Sequence, residues 1–127
     1  MGQQQLLLIV LGVIIVGIAV VVGINLFNAN ATNANRDGVI SDLNNLGAMA
    51  QQFYKKPTSM GGGGNTFTGW TIPTGLDSTA NGTYSATVNA QSVTIPGLGT
   101  ETGDDGTNPV GASATVGPTT ITVSVTN

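Results

Sequence analysis

From Leu6 to Ile24 the chain carries only apolar side chains and glycine, LLLIVLGVIIVGIAVVVGI. A run of this kind is close to the ~20 residues that a helix needs to cross a bilayer. A helix that is apolar all round needs cover on every side, and one small domain has too little chain to supply it. Residues 1–24 are therefore expected to form an apolar helix buried in a membrane or among other helices. A cleavable secretory signal starts with basic residues and ends in small ones, whereas Met1-Gly2-Gln3-Gln4-Gln5 precedes this run and Asn25 follows it. Gly12, Gly17 and Gly23 are not spaced as GxxxG. Spread around the axis, they suit several close contact surfaces or a locally loosened helix.

The pattern changes at residue 25. Asn25, Asn28, Asn30, Asn33 and Asn35 alternate with alanines, and Leu26-Phe27 is the last strongly apolar pair. An amphipathic period then returns: Val39/Ile40, Leu43, Leu46/Gly47, Ala50 and Phe53/Tyr54 recur at steps of three and four, the spacing of one helix face. Pro57 closes the helix, because proline disfavours helical geometry in the residue before it, and Lys55-Lys56 suit the helix dipole there. Residues 25–56 are thus expected to continue the first helix, giving a helix about 80 Å long at ~1.5 Å per residue. Asn28–Gly38 is its weakest part, since asparagine side chains compete for backbone hydrogen bonds.

Residues 57–68 include Gly61-Gly62-Gly63-Gly64 and read as a flexible connection. Over 69–127, short β-branched runs alternate with turn residues: Gly69–Ile72, Thr83–Val88, Ser92–Ile95, Val110–Val116 and Thr119–Thr126. In the last run Ile121, Val123 and Val125 share one face, while Thr120, Thr122 and Ser124 share the other, as in a sheet with one wet side. Asn81-Gly82 suits a tight turn, and Asn89–Gln91 a hairpin connection. The fold class expected is α+β, a long N-terminal helix, apolar then amphipathic, packed against a small C-terminal antiparallel β-sheet. Ile40, Leu43, Phe53, Trp70, Ile121 and Val123 are the expected helix–sheet core, with Phe67 and Trp70 as core aromatics.

Composition narrows the chemistry. Only 7% of the 127 residues are charged, with net charge −3, no Cys and no His, against about 25% charged in an ordinary soluble domain. Arg36, Lys55 and Lys56 are too few for the basic surface that nucleic-acid binding needs. Without His or Cys no serine has a recognisable base, so the expectation is a protein that is not an enzyme and needs no cofactor. Any metal site would have to be built from oxygen alone. Glu101, Asp104, Asp105 and Asn108 are hard oxygen ligands that could hold Ca²⁺, but their spacing matches no calcium motif and reads as a solvated acidic turn. Asn30 and Asn81 open Asn-x-Thr triplets, the form of a glycosylation acceptor.

An apolar helix at the start of the chain, turning amphipathic and then supporting a small antiparallel sheet, resembles the type IV pilin and pseudopilin superfamily. The resemblance implies that the apolar half anchors the subunit in the inner membrane before assembly and lies at the centre of a filament afterwards. Gln5, Leu6, Leu7, Gly12, Gly17 and Gly23 would then belong to the polymerisation helix. The implied partners are further copies of the chain and a filament assembly machinery, and the implied location is an extracellular filament on the cell surface. A pseudopilin of a secretion machine, or a single-span surface binding domain, is the alternative, and some pseudopilins bind calcium in a C-terminal loop. Gln5 stands where the family has glutamate, if Met1 is the processed first residue, and Val22 where it often has proline. Gln5 can hydrogen-bond to a neighbouring N-terminal amine but cannot neutralise it. No basic leader ending in glycine precedes the run, so the chain reads either as already processed or as opening on an uninterpreted Met1-Gly2.

Overall fold

A computed structural model describes residues 2–127; the reading of Met1 as a processed first residue lies outside them. The fold is α+β, with one long N-terminal helix and a C-terminal antiparallel sheet. Helix α1 runs Gly2–Lys55 without interruption. The chain divides into two compact units, Met1–Ala31 and Thr32–Asn127. In the first unit every described residue but Ala31 is exposed.

The second unit holds the remainder of α1, a 3₁₀ turn Thr58–Met60, and strands β1 (Gly82–Tyr84), β2 (Thr87–Val88), β3 (Val93–Thr102), β4 (Pro109–Val116) and β5 (Ile121–Val125). All pairings are antiparallel, in the order β1-β3-β4-β5, with β2 beside β3 on the same side as β1. Val39, Leu43, Leu46 and Ala50 form the buried stripe of α1, packed with Val93 and Ile95 of β3 and with Ala112, Ala114 and Val116 of β4. Gly47 lies on this stripe because space is short: a Cβ there would come within 3.1 Å of Ile121 and 3.2 Å of Val116.

The asparagine-rich stretch does not break α1. Asn35 turns its amide outward to the sheet, and Asn33 accepts a hydrogen bond from Arg36 one turn later. Neither competes for the helix's own backbone.

The strands differ from expectation in three places. Gly69–Ile72 is not a strand: Gly69 takes φ 94°, and the Trp70 N–H closes a turn onto the Phe67 carbonyl. The expected Thr83–Val88 strand is split into β1 and β2, although both keep one register against β3. The gap faces Pro96, which has no N–H to offer the ladder. The expected Ser92–Ile95 strand runs on to Thr102. Its Pro-Gly-Leu-Gly stretch is extended because Gly97 leaves room for the Tyr84 ring and Gly99 for the Asn35 amide.

The tetraglycine is not a loose connection. The N–H groups of Gly63, Gly64 and Asn65 donate to the carbonyls of Phe53, Lys56 and Tyr54 at 2.8, 3.0 and 2.8 Å. These are the acceptors a helix C-terminus leaves unpaired. Gly61 and Gly64 have φ 83° and 61°, and a Cβ on Gly62 or Gly63 would collide with the carbonyl oxygen of Lys56 or Thr66. The glycines therefore cap α1.

Candidate functional site

In the first unit the site is the apolar surface of α1. Its large side chains from Leu6 to Ile24 are between 50% and 68% exposed, and the helix is long and apolar enough to cross a membrane. Gln5, Leu6 and Leu7 are exposed, as are Gly12, Gly17 and Gly23, each with open space where a Cβ would stand. Burying a Leu, Ile or Val side chain contributes about 1.5–3 kcal/mol. This surface therefore carries a strong drive towards lipid or other apolar helices and no chemistry beyond it.

In the second unit, Leu43 and Trp70 lie in the core, and Phe53, Ile121 and Val123 are half-buried against it. Phe67 is fully buried, its ring 4.8 Å from that of Tyr54. Ile40 is a correction: it is half-buried and outside the core cluster, because the helix turns Val39 and Leu43 to the sheet and leaves their neighbour at the margin. A groove beside the helix end is lined by Met49, Phe53, Lys56, Trp70 and Pro73. Trp70 is only 6% exposed there, so it offers no stacking platform.

The acidic turn is built as a turn. Asp105 accepts hydrogen bonds from the N–H groups of Thr107 and Asn108, both at 2.9 Å, and from the Asn108 side chain at 2.7 Å. The two N–H groups, then the Asn108 amide, hold its carboxyl well below the usual carboxylate range. Asp104 pairs with Arg36 at 2.7 Å. The Asn127 amide ties the turn to the chain end, donating to the carbonyls of Asn108 and Pro109 and accepting from the Asp105 N–H. Asp105 and Asn108 meet side chain to side chain while Asp104 turns to Arg36, and among the described residues no group of three or more His, Cys, Asp or Glu side chains placed to hold a metal ion forms. The segment expected as a solvated acidic turn is thus a turn held by its own hydrogen bonds.

Two polar residues on α1 had no place in the sequence-based core. Asn35, 8% exposed, donates to the Asn81 carbonyl at 2.7 Å and to Thr100 Oγ1 at 3.2 Å, and accepts from the N–H groups of Thr100 and Glu101 at 3.0 and 3.2 Å. It serves the backbone where the β3–β4 register shifts between Leu98 and Thr102. Asp42 Oδ2 accepts from Tyr84 Oη at 2.7 Å, Thr79 Oγ1 at 2.8 Å and Asn81 Nδ2 at 3.2 Å. Burial pushes the Asp42 carboxyl up, and these three donors together outweigh it, so the group sits below its ordinary value. Burial and the bond to Asp42 push the Tyr84 phenol above its ordinary range. Both residues follow the helical period of the core, Asn35 one turn before Val39 and Asp42 beside Leu43, and that period was the signal that could have found them.

No protein-family model, no curated protein and no solved structure matches the chain.

Proposed function

We propose that the chain is the structural subunit of a type IV pilus-like filament outside the cell, held in the inner membrane before assembly and polymerised through its apolar helix. The observation that carries this reading is the uncovered apolar surface from Leu6 to Ile24. Lipid can cover such a surface before assembly, and the apolar helices of neighbouring identical chains can cover it in a filament. Glycines at 12, 17 and 23 with no neighbour at the Cβ position permit close helix approach. The role is structural rather than enzymatic, its partners being copies of the same chain, the membrane and an assembly machinery, with no nucleic acid required.

Shearing the cell surface tests the proposal. Long filaments whose only protein is this chain are the expected result. A chain recovered solely from the membrane fraction as a monomer would overturn it in favour of a membrane-anchored pseudopilin or a single-span binding domain.

A further inference from the structure

The chain contains one Asn-Gly dipeptide, Asn81-Gly82. Such a pair is chemically fragile, because glycine puts no side chain in the way of its own amide nitrogen. That nitrogen, after losing its proton to hydroxide, can attack the preceding Cγ. The Cγ–Nδ2 bond breaks and ammonia leaves with a proton from water. The cyclic imide then takes up water and opens to aspartate or isoaspartate.

Here the glycine is imposed by the fold, since a Cβ on Gly82 would run into the Leu98 carbonyl oxygen across the β1–β3 pair. Asn81 is equally committed. Its N–H donates to Thr79 Oγ1 at 3.2 Å, its carbonyl accepts from Asn35 Nδ2 at 2.7 Å, and its Nδ2 donates to Asp42 Oδ2 at 3.2 Å. The amide also lies against Gly38 of α1, where a Cβ would stand 2.7 Å from Asn81 Cγ. On the far side the Thr79 N–H holds the Gly82 carbonyl at 2.8 Å.

We propose that Asn81-Gly82 is a masked site of spontaneous deamidation, kept unreactive by a cage made of Asn35, Gly38, Asp42 and Thr79. The cage works in two ways. Donation from Nδ2 to a carboxylate pushes electron density into the amide and makes Cγ a poorer electrophile. The hydrogen bonds on either side fix the turn, so the Gly82 nitrogen meets Cγ only when the turn opens locally. Gly38, which costs α1 helix propensity, is explained by the seat it provides for the amide. Deamidation would strain the unit, because the new carboxylate would face Asp42 and an isoaspartate would lengthen the backbone inside a tight turn.

The test uses the full chain in detergent micelles, incubated in mildly alkaline buffer. Peptide mass spectrometry reads the exchange of NH₂ for OH at Asn81, and the same chain in denaturant sets the uncaged rate. The folded chain should react at least about tenfold more slowly than the unfolded one. Asp42→Ala should accelerate the reaction by about tenfold or more, the effect of losing a hydrogen bond to a charged group. Gly38→Ala should accelerate it too, although alanine strengthens the helix, which separates loss of the cage from loss of stability. Equal rates in the folded and unfolded chain would overturn the proposal. So would variants that stay folded and react no faster, or acceleration seen only together with loss of the folded circular-dichroism spectrum.

Discussion

Replacing Asn35 by leucine isolates what a single buried amide does for this fold. Leucine keeps asparagine's branching and number of heavy atoms but is bulkier, so the substitution leaves no room for water, and it removes four hydrogen bonds at once. Three backbone groups lose this partner: the Asn81 carbonyl and the N–H groups of Thr100 and Glu101. These bonds are part-buried, with Thr100 and Glu101 themselves exposed, so each group left unpaired falls in the lower half of the about 1–3 kcal/mol that a buried one costs. Leucine recovers part of this through apolar burial, about 1.5–3 kcal/mol if it is fully covered. Three groups at about 1–2 kcal/mol each outweigh this return by roughly 2 kcal/mol at mid-range. For a unit of this size about 1 kcal/mol corresponds to a shift of roughly 4–8 °C in Tm, so the midpoint should fall by at least about 8 °C. Trp70 is the only tryptophan and is buried, so its fluorescence during heating of the full chain in micelles reports on the second unit. Asn35→Ala should be milder, because water can enter and bond to the abandoned groups. A leucine variant as stable as the parent, or an alanine variant less stable than the leucine one, would refute the reasoning.

Val13→Asp, which puts a carboxylate in the apolar surface at a cost of several kcal/mol on burial, should abolish filaments in sheared material while leaving Trp70 fluorescence unchanged. Gln5→Glu should be tolerated if a neighbouring N-terminal amine lies close and should block assembly if none does; full filament yield from Gln5→Leu would show that neither a charge nor a hydrogen bond is needed there. The Asp42 carboxyl titrates below its ordinary value in the folded chain, so the stability it confers is complete above the usual carboxylate range and lost as pH falls through the folded value. Asp42→Ala should therefore flatten the acid limb of a pH titration followed by Trp70 fluorescence. Gly63→Ala should destabilise the second unit by about 1–3 kcal/mol in thermal unfolding, because the new methyl meets the Thr66 carbonyl.

Periodicity carried the helix and the last two strands. Val39, Leu43, Leu46 and Ala50 recur at helical spacing and are the residues that bury, and the alternation from Ile121 to Val125 matches β5. The pattern marked the start of β3 at Ser92–Ile95 but gave no warning of its continuation, because Pro96, Gly97 and Gly99 are poor strand formers taken singly. They are extended because ladders on two sides, the Tyr84 ring and the Asn35 amide require it, and those partners lie far away in sequence. Gly61 to Gly64 misled for a related reason. Glycine signals conformational freedom, and only the geometry of the helix end shows the freedom used to reach left-handed turns and vacant carbonyls. Of the candidate site, the exposed apolar run was legible because the residues from Leu6 to Ile24 offer no polar face to water. Asn35 and Asp42 were legible only as polar residues on the helical period of the core, because such a residue acquires a role only from the groups that meet it.

Among the described residues the only ion pair is that between Arg36 and Asp104, whose carboxylate is largely in solvent. A pair so exposed contributes about 0–1 kcal/mol and is what dissolved salt screens. The remaining cohesion of the second unit comes from apolar burial and from hydrogen bonds, most of them between neutral groups. Its folding should therefore scarcely register the difference between fresh water and brine: screening reaches one weak contact. Any assembly built from this chain would keep its subunits folded across salinities at which charge-stapled domains lose their fastenings.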